Sequence, residues 1–207
     1  RQQLASRLQQ TLGMWWVQLL NSIVSLLNGG AGGGGGSYES IATISVGTAV
    51  SSITFSSIPS TYTSLQIRFM ASAGYGSYNN TTIRCELNGD TTGTNYYYHA
   101  LQGDSGSGVS AVSSNFQKLT QGLDTATTTS IYGVGIVDLH NYAITTQNKT
   151  LRTFAGYDTN GEVSANRVLL SSMLWMNTSA INSIKLIGQD GNWTVGSTFA
   201  LYGIKGA

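Results

Sequence analysis

The chain has 207 residues, of which 41% are hydrophobic, 10% aromatic and only 9% charged, with a formal net charge of +1. An ordinary soluble domain carries roughly 25% charged residues, so the surface here must be built from hydroxyls, amides and glycine. The apolar content argues against disorder, the charge balance leaves no footprint for a nucleic-acid partner, and a single cysteine excludes an intramolecular disulfide.

Residues 2–27 are rich in Leu and Gln. Ala5, Leu8, Leu12, Trp15, Leu19, Ser22 and Leu26 fall at alternating steps of three and four, the seam of a heptad pattern. Leu4, Trp16, Leu20, Ile23, Val24 and Leu27 widen that seam. The spacing predicts an amphipathic helix over 1–28. A helix so apolar does not stand alone in water, so it bundles with copies of itself or inserts into a partner. Packing on the chain's own β domain is the alternative. The anchoring or oligomerising residues are then Leu8, Leu12, Trp15, Leu19, Ile23 and Leu26. The apolar run 14–27 is shorter than the ~20 residues of a membrane span. Gln18, Asn21, Ser22 and Ser25 interrupt it, so no span is expected, and no convincing signal-peptide cleavage site follows.

Asn28-Gly29 supplies a helix stop. Seven of the eight positions from Gly29 to Gly36 are glycine. As a flexible tether over 29–37, hinged about Gly32, Gly33 and Gly34, the eight residues of the run 29–36 reach about 15 Å. If ordered instead, the glycines mark a close backbone approach.

From Tyr38 the period changes to two. IATISV (41–46), SSITFSS (51–57), SLQIRFMA (64–71), TIRCEL (82–87) and NYYYHAL (95–101) read as strands. Leu65, Ile67 and Phe69 share one face, with Gln66 and Arg68 on the other. Cys85 falls on an apolar face with Ile83 and Leu87, a buried small hydrophobe. Residues 115–123 (NFQKLTQGL) read as a short helix or a long loop. SIYGVGIVDL (130–139) is apolar on both faces, as a central strand is. NKTLRTFAGY (148–157), RVLLSSMLW (167–175), INSIKLIG (181–188) and STFALYGI (197–204) complete about ten strands. Ile58-Pro59, Asn88-Gly89-Asp90, Asn160-Gly161 and Asp190-Gly191-Asn192 supply turns. The expected fold is mainly β: an antiparallel β-sandwich of about eight to ten strands over 38–207, jelly-roll-like, preceded by the N-terminal helix.

The phrases SYESIATISVG, ITFSSIPSTYTSLQIR, LNGDTTGTNYYYHAL, NKTLRTFAGYD, LWMNTSAINSIKLIG and FALYGIKG, in that order, resemble a family of small virion-associated proteins of tailed bacteriophages, marine and cyanobacterial ones especially. The resemblance covers 37–207 and leaves out the helix and the glycine run. It implies a fibre-type or decoration-type structural role on the exterior of a virus particle. It transfers no catalytic residue.

The residues themselves give little chemistry. Asp90, Asp158 and Asp190 sit in turn contexts, where an aspartate caps its own backbone. Calcium held by clustered Asp and Asn is the sharper alternative, but no EF-hand spacing occurs. Two histidines, His99 and His140, cannot form a zinc-type cluster with one cysteine. GDSGSG (103–108) echoes a serine-protease signature but lacks its double glycine, and no G-x-S-x-G elbow is present. The glycine run has no following Lys-Ser/Thr and is no phosphate loop. No catalytic residue, metal or cofactor is therefore expected, and the chain is read as non-enzymatic. Aromatic side chains stack on sugar rings, which makes Tyr75, Tyr78, Tyr97, His99 and Trp193 the candidate ligand contacts. Against this, Tyr96 and Tyr98 would point inward, leaving Tyr97 and His99 on the outer face or in a subunit interface. The expected partners are the chain itself, as a homotrimer, other virion proteins and host-surface glycans. A capsid cement protein is the second reading and a glycan hydrolase a remote third.

Overall fold

The computed structural model describes residues 37–74, 80–104, 108–124, 131–158 and 166–206. The chain divides into two units, Arg1–Gly36 and Ser37–Ala207, and every described residue lies in the second. The helix expected over 1–28 and the hinge glycines Gly32, Gly33 and Gly34 fall outside the described residues, as does the Asn160-Gly161 turn.

The described unit is mainly β, an antiparallel sandwich of two sheets. Thirteen strands run in chain order: β1 (Tyr38–Ser45), β2 (Ser52–Phe55), β3 (Ser64–Gly74), β4 (Asn80–Leu87), β5 (Tyr96–Asp104), β6 (Gly108–Ser114), β7 (Lys118–Asp124), β8 (Gly133–His140), β9 (Lys149–Tyr157), β10 (Arg167–Trp175), β11 (Ile184–Gly188), β12 (Asn192–Trp193) and β13 (Thr198–Ile204). The larger sheet has the order β1-β13-β3-β8-β9-β10-β5-β6. The smaller holds β2-β11-β4-β7, with β12. Strand β3 serves both. Its residues 64–71 pair with β13 and β8, while Ser72 and Ala73 run parallel to Leu123 and Asp124 of β7.

All ten strands read from the period-two pattern are present, because one face of each packs on the core, only partly buried in the edge strand β1. Ile53 and Phe55, then Leu65, Ile67 and Phe69, then Ile83, Cys85 and Leu87 all point into one continuous core. Tyr96 and Tyr98 point inward as expected, at 0% and 1% exposure. Burial takes the Cys85 thiol far above its usual range, so it stays protonated and unreactive.

Three strands were not legible. Residues 115–123 do not form a helix or a long loop, because Lys118–Asp124 is β7. Its Leu119 and Thr120 are fully buried, and pairing with β4 and β3 overrides a weak, charge-poor local signal. Strand β6, of small residues, is held by pairing with β5. The two-residue β12 is defined only by its partner β3. Strand β8 also departs from expectation. It is central, but not buried on both faces, since Val134 and Ile136 point outward and are exposed. Gln66 and Arg68 share the outer face as read, yet Gln66 is buried.

Turns and crossings are fixed by side chains. Asn88 and Gly89 take φ of 51° and 73°, the pair of positive values that asparagine and glycine tolerate. Asp90 N–H closes this turn on Leu87 O at 2.9 Å. The Asp90 carboxylate then accepts from Trp175 Nε1 at 2.8 Å, Asn95 Nδ2 at 2.8 Å and Thr92 N–H at 2.9 Å. Where β3 passes between sheets, Ser72 N–H donates to Ser197 Oγ at 3.2 Å, and Ser72 O accepts from Thr194 N–H at 2.9 Å. Lys149 is 1% exposed and donates to Ile144 O, Gln147 O and Thr178 O, tying the 141–148 loop to its strand. At the outer edge, Tyr38 and Ile204 are register partners, Lys205 pairs with Glu39 at 2.8 Å, and Lys205 N–H bonds Ser37 O at 3.0 Å.

Asp90 thus holds a buried indole, a turn and a short 3-10 segment at once. Asp90→Ala should lower stability in urea denaturation by about 2–3 kcal/mol, because the Trp175 N–H loses its charged acceptor. Asp90→Asn should recover part of that loss. A midpoint unchanged in Asp90→Ala would show the hub to be energetically idle.

Candidate functional site: the outer face of the larger sheet

Register across the larger sheet sorts its outward side chains into rows. The first row runs Met70, Val134, Gly156, Val168, Gly103, and the second Arg68, Ile136, Phe154, Leu170, Leu101. A third row, Gln66, Asp138, Arg152, Ser172 and His99, borders them. The first two rows form an apolar patch open to solvent: Phe154 is 59% exposed, Val168 56%, Val134 55% and Leu101 53%. Strict alternation produces this patch, since the intervening residues Val137, Leu151, Ala155 and Leu169 fill the core.

With strands ~4.8 Å apart, five strands and two rows cover roughly 300 Å² in projection. Isolated exposed apolar residues are ordinary, and a contiguous patch of this size falls at the lower end of the largest patches that monomers expose. Its relief is uneven. Phe154 stands out beside Gly156, which has no side chain and leaves a notch between Val134 and Val168. A hollow of about 460 Å³ opens there, lined by Val134, Ile136, Phe154, Gly156 and Val168 with Arg68 at its edge.

The polar border is internally paired. Arg68 Nε donates to Gln66 Oε1 at 2.8 Å, Gln66 Nε2 to Asp138 Oδ1 at 2.8 Å, and Arg152 Nη2 to Asp138 Oδ2 at 2.7 Å. The Arg68 guanidinium lies over the rings of Tyr202 and Tyr38, at 5.2 Å and 5.4 Å. Burial acts to raise the Asp138 carboxyl. The hydrogen bonds from Arg152 and Gln66, with the charges of Arg152 and His140, outweigh it and hold Asp138 below the usual carboxylate range.

Of the candidate ligand contacts among the described residues, only Tyr97 and His99 lie on this face. Tyr97 is half-buried opposite Leu174. His99 is exposed and lines a cleft of about 400 Å³ with Leu101, Arg152 and Leu170. Tyr75 and Tyr78 lie outside the described residues, as do Leu8, Leu12, Trp15, Leu19, Ile23 and Leu26. Trp193 is a correction. It is 0% exposed, donates from Nε1 to Leu186 O at 3.2 Å and meets the Phe199 ring edge-on at 5.0 Å. Pairing of β12 with β3 turns its indole into the core, where no sugar reaches it.

The apolar patch itself is the site that residue-by-residue reading missed. Its signal was the outward Val134 and Ile136 of a strand taken as buried on both sides.

Two further acidic residues have structural partners. Glu86 pairs with Lys185 at 3.2 Å, and Asp190 accepts from Thr81 Oγ1 at 3.2 Å. Among the described residues no three His, Cys, Asp or Glu cluster to hold a metal, and no helix is long and apolar enough to cross a membrane.

Because the folded Asp138 carboxyl is depressed, its contribution is complete above the unfolded value near ~4 and is lost as pH falls through the folded value. Asp138→Asn should therefore flatten the acid limb of stability between about pH 5 and pH 2. At neutral pH it should cost about 1 kcal/mol or less, since Arg152 is largely exposed. Urea midpoints across that range test this, and an acid limb identical to the parent's would overturn it.

No family model matches the chain, and no curated protein matches it.

Proposed function

We propose that this chain is a non-enzymatic structural component of a tailed-bacteriophage particle, of fibre or adhesin type. On this reading the sandwich is a jelly-roll-like module on the particle exterior, assembled as an oligomer and taken as a trimer. The helix expected over 1–28 anchors it to other virion proteins, and its loops meet host-surface glycans. The observation that carries this reading is the apolar outer face of the larger sheet. A face of Val134, Ile136, Phe154, Val168 and Leu170 with a charged border suits packing against protein. The buried Trp193 removes the largest ring from the glycan-contact set and leaves Tyr97, His99, Tyr75 and Tyr78.

Capsid decoration is the second reading, and the same face favours it. An exposed apolar sheet face can clamp neighbouring shell subunits, a mechanical role.

The test is to purify particles carrying an epitope-tagged copy and image the tag. The expected result is tag on the particle exterior, lost when residues 1–28 are deleted. Tag on the tail supports the fibre reading. Tag on the shell, with particles that weaken to heat or osmotic shock when the protein is removed, supports decoration. Absence from purified particles overturns both. Polysaccharide degradation by the purified chain, abolished by single Asp→Asn changes, would replace them with an enzyme.

A further inference from the structure

We infer that the apolar face of the larger sheet is covered by the same face of a second copy of this chain, with Phe154 of each copy seated in the Gly156 notch of the other. The inference rests on the reading of this face as an assembly surface and names its partner; a two-fold contact pairs copies and is separate from the three-fold assembly taken above for the chain as a whole.

Three observations carry it. The first is shape. Phe154 and Gly156 lie two residues apart on β9 and point the same way, so the largest knob on the face and its one central notch are neighbours. In a two-fold contact residue i meets j while j meets i. A knob beside a notch on one surface is therefore self-complementary, whereas a foreign partner would have to supply both reliefs. An added Cβ at Gly156 would lie 3.3 Å from Arg167 O and 3.8 Å from Val168 Cγ2, so the glycine is tight at its base, and the notch is the hollow above it lined by Val134, Ile136, Phe154 and Val168.

The second is charge. The charged groups bordering the patch are Arg68, Asp138 and Arg152 on one side, with His99 and His140 nearby, and Asp104, Asp158 and Arg167 on the other, where they line a hollow with Gly103, Val134, Gly156 and Val168. Arg68 is held by Gln66 and two tyrosine rings, and Asp138 is held by Arg152. That border calls for no oppositely charged partner, the other border carries both signs, and a chain of net charge +1 repels its own copy little. The third is size. The apolar patch alone covers roughly 300 Å² in projection, and the whole eight-strand face, polar border included, roughly 700 Å². That approaches the ~800 Å² per partner of a standard interface. An apolar centre with a polar rim is also the anatomy of such an interface, and two sheets stacked face to face pack at ~10 Å.

Sedimentation velocity on the full chain tests it. The parent should self-associate. Phe154→Asp and Gly156→Leu should each weaken association about tenfold or more, while Val50→Asp, exposed on the smaller sheet's side, should not. A second measurement covers variants that fail to fold. Cys85, the chain's one cysteine, is buried, so introduced cysteines are the exposed thiols. An oxidised equal mixture of Phe154→Cys and Gly156→Cys chains should give a covalent mixed dimer, and one of Phe154→Cys with Val50→Cys should not. A chain that stays monomeric overturns the inference. So does association untouched by Phe154→Asp, a mixed dimer that fails to form, or this face binding another protein without self-association. The particle plays no part in these measurements, so their failure leaves the particle reading standing, and failure of particle labelling leaves this contact standing.

Discussion

Strand β3 belongs to both sheets, and the rest of the sandwich depends on that sharing. Over its first eight residues it is the spine of the larger sheet, paired on both edges by β13 and β8. Within two residues it changes partners and lies against β7 and β12 of the smaller one. Such a crossing strands backbone groups that each sheet alone would satisfy, and buried unpaired amides are costly. Ser197, Thr194 and the backbone of Ser72 resolve this locally. Hydroxyls do here what charges do in other folds, consistent with a sequence that spends so few ionised groups. The same economy recurs at Lys149, whose buried ammonium is neutralised by carbonyl dipoles rather than by a carboxylate.

Because β3 fixes the larger sheet's register, it also fixes which residues of β8, β9 and β10 face outward. Phe69 sits beneath Gly135 so closely that an added Cβ there would lie 2.3 Å from the ring. That locks the phase of β8 against β3: Gly135 must face in, so Val134 and Ile136 must face out. The apolar outer surface is thus not a loosely placed set of side chains. It is the enforced complement of the core. Shifting the register by one residue to hide it would expose Val137 and Leu139 instead. The only way to remove this surface from water is to cover it.

The sheet positions were legible because alternation is a strong signal wherever one face is buried. Ile83, Cys85 and Leu87 announce β4, and Leu169, Met173 and Trp175 announce the far end of β10. Strands β6, β7 and β12 were not legible, because small or polar residues such as those of GVSAVSS carry no alternation and take their conformation from neighbours distant in sequence. Trp193 shows the same limit at a site. A tryptophan in a QDGNWT turn reads as an exposed ring, and only the pairing of β12 with β3 shows that it points inward. The outer face was half legible. Apolar residues on both sides of 130–139 were visible, but local sequence does not distinguish a strand buried by its own chain from one awaiting another.

The edge pair β1 and β13 carries a mechanical consequence. Tyr38 lies opposite Ile204, so the first and last strands of the sandwich leave it at the same corner. Load applied between these two ends would act on the β1–β13 ladder from its tip, opening hydrogen bonds one after another rather than all at once in shear. The Glu39–Lys205 pair and the Ser37–Lys205 bond sit at that tip and would be the first to yield. A sandwich so connected is a poor in-line link in a tensed strand and a good pendant hung from one corner. In an assembly that must resist force, the load path would run through its faces and not through its chain ends.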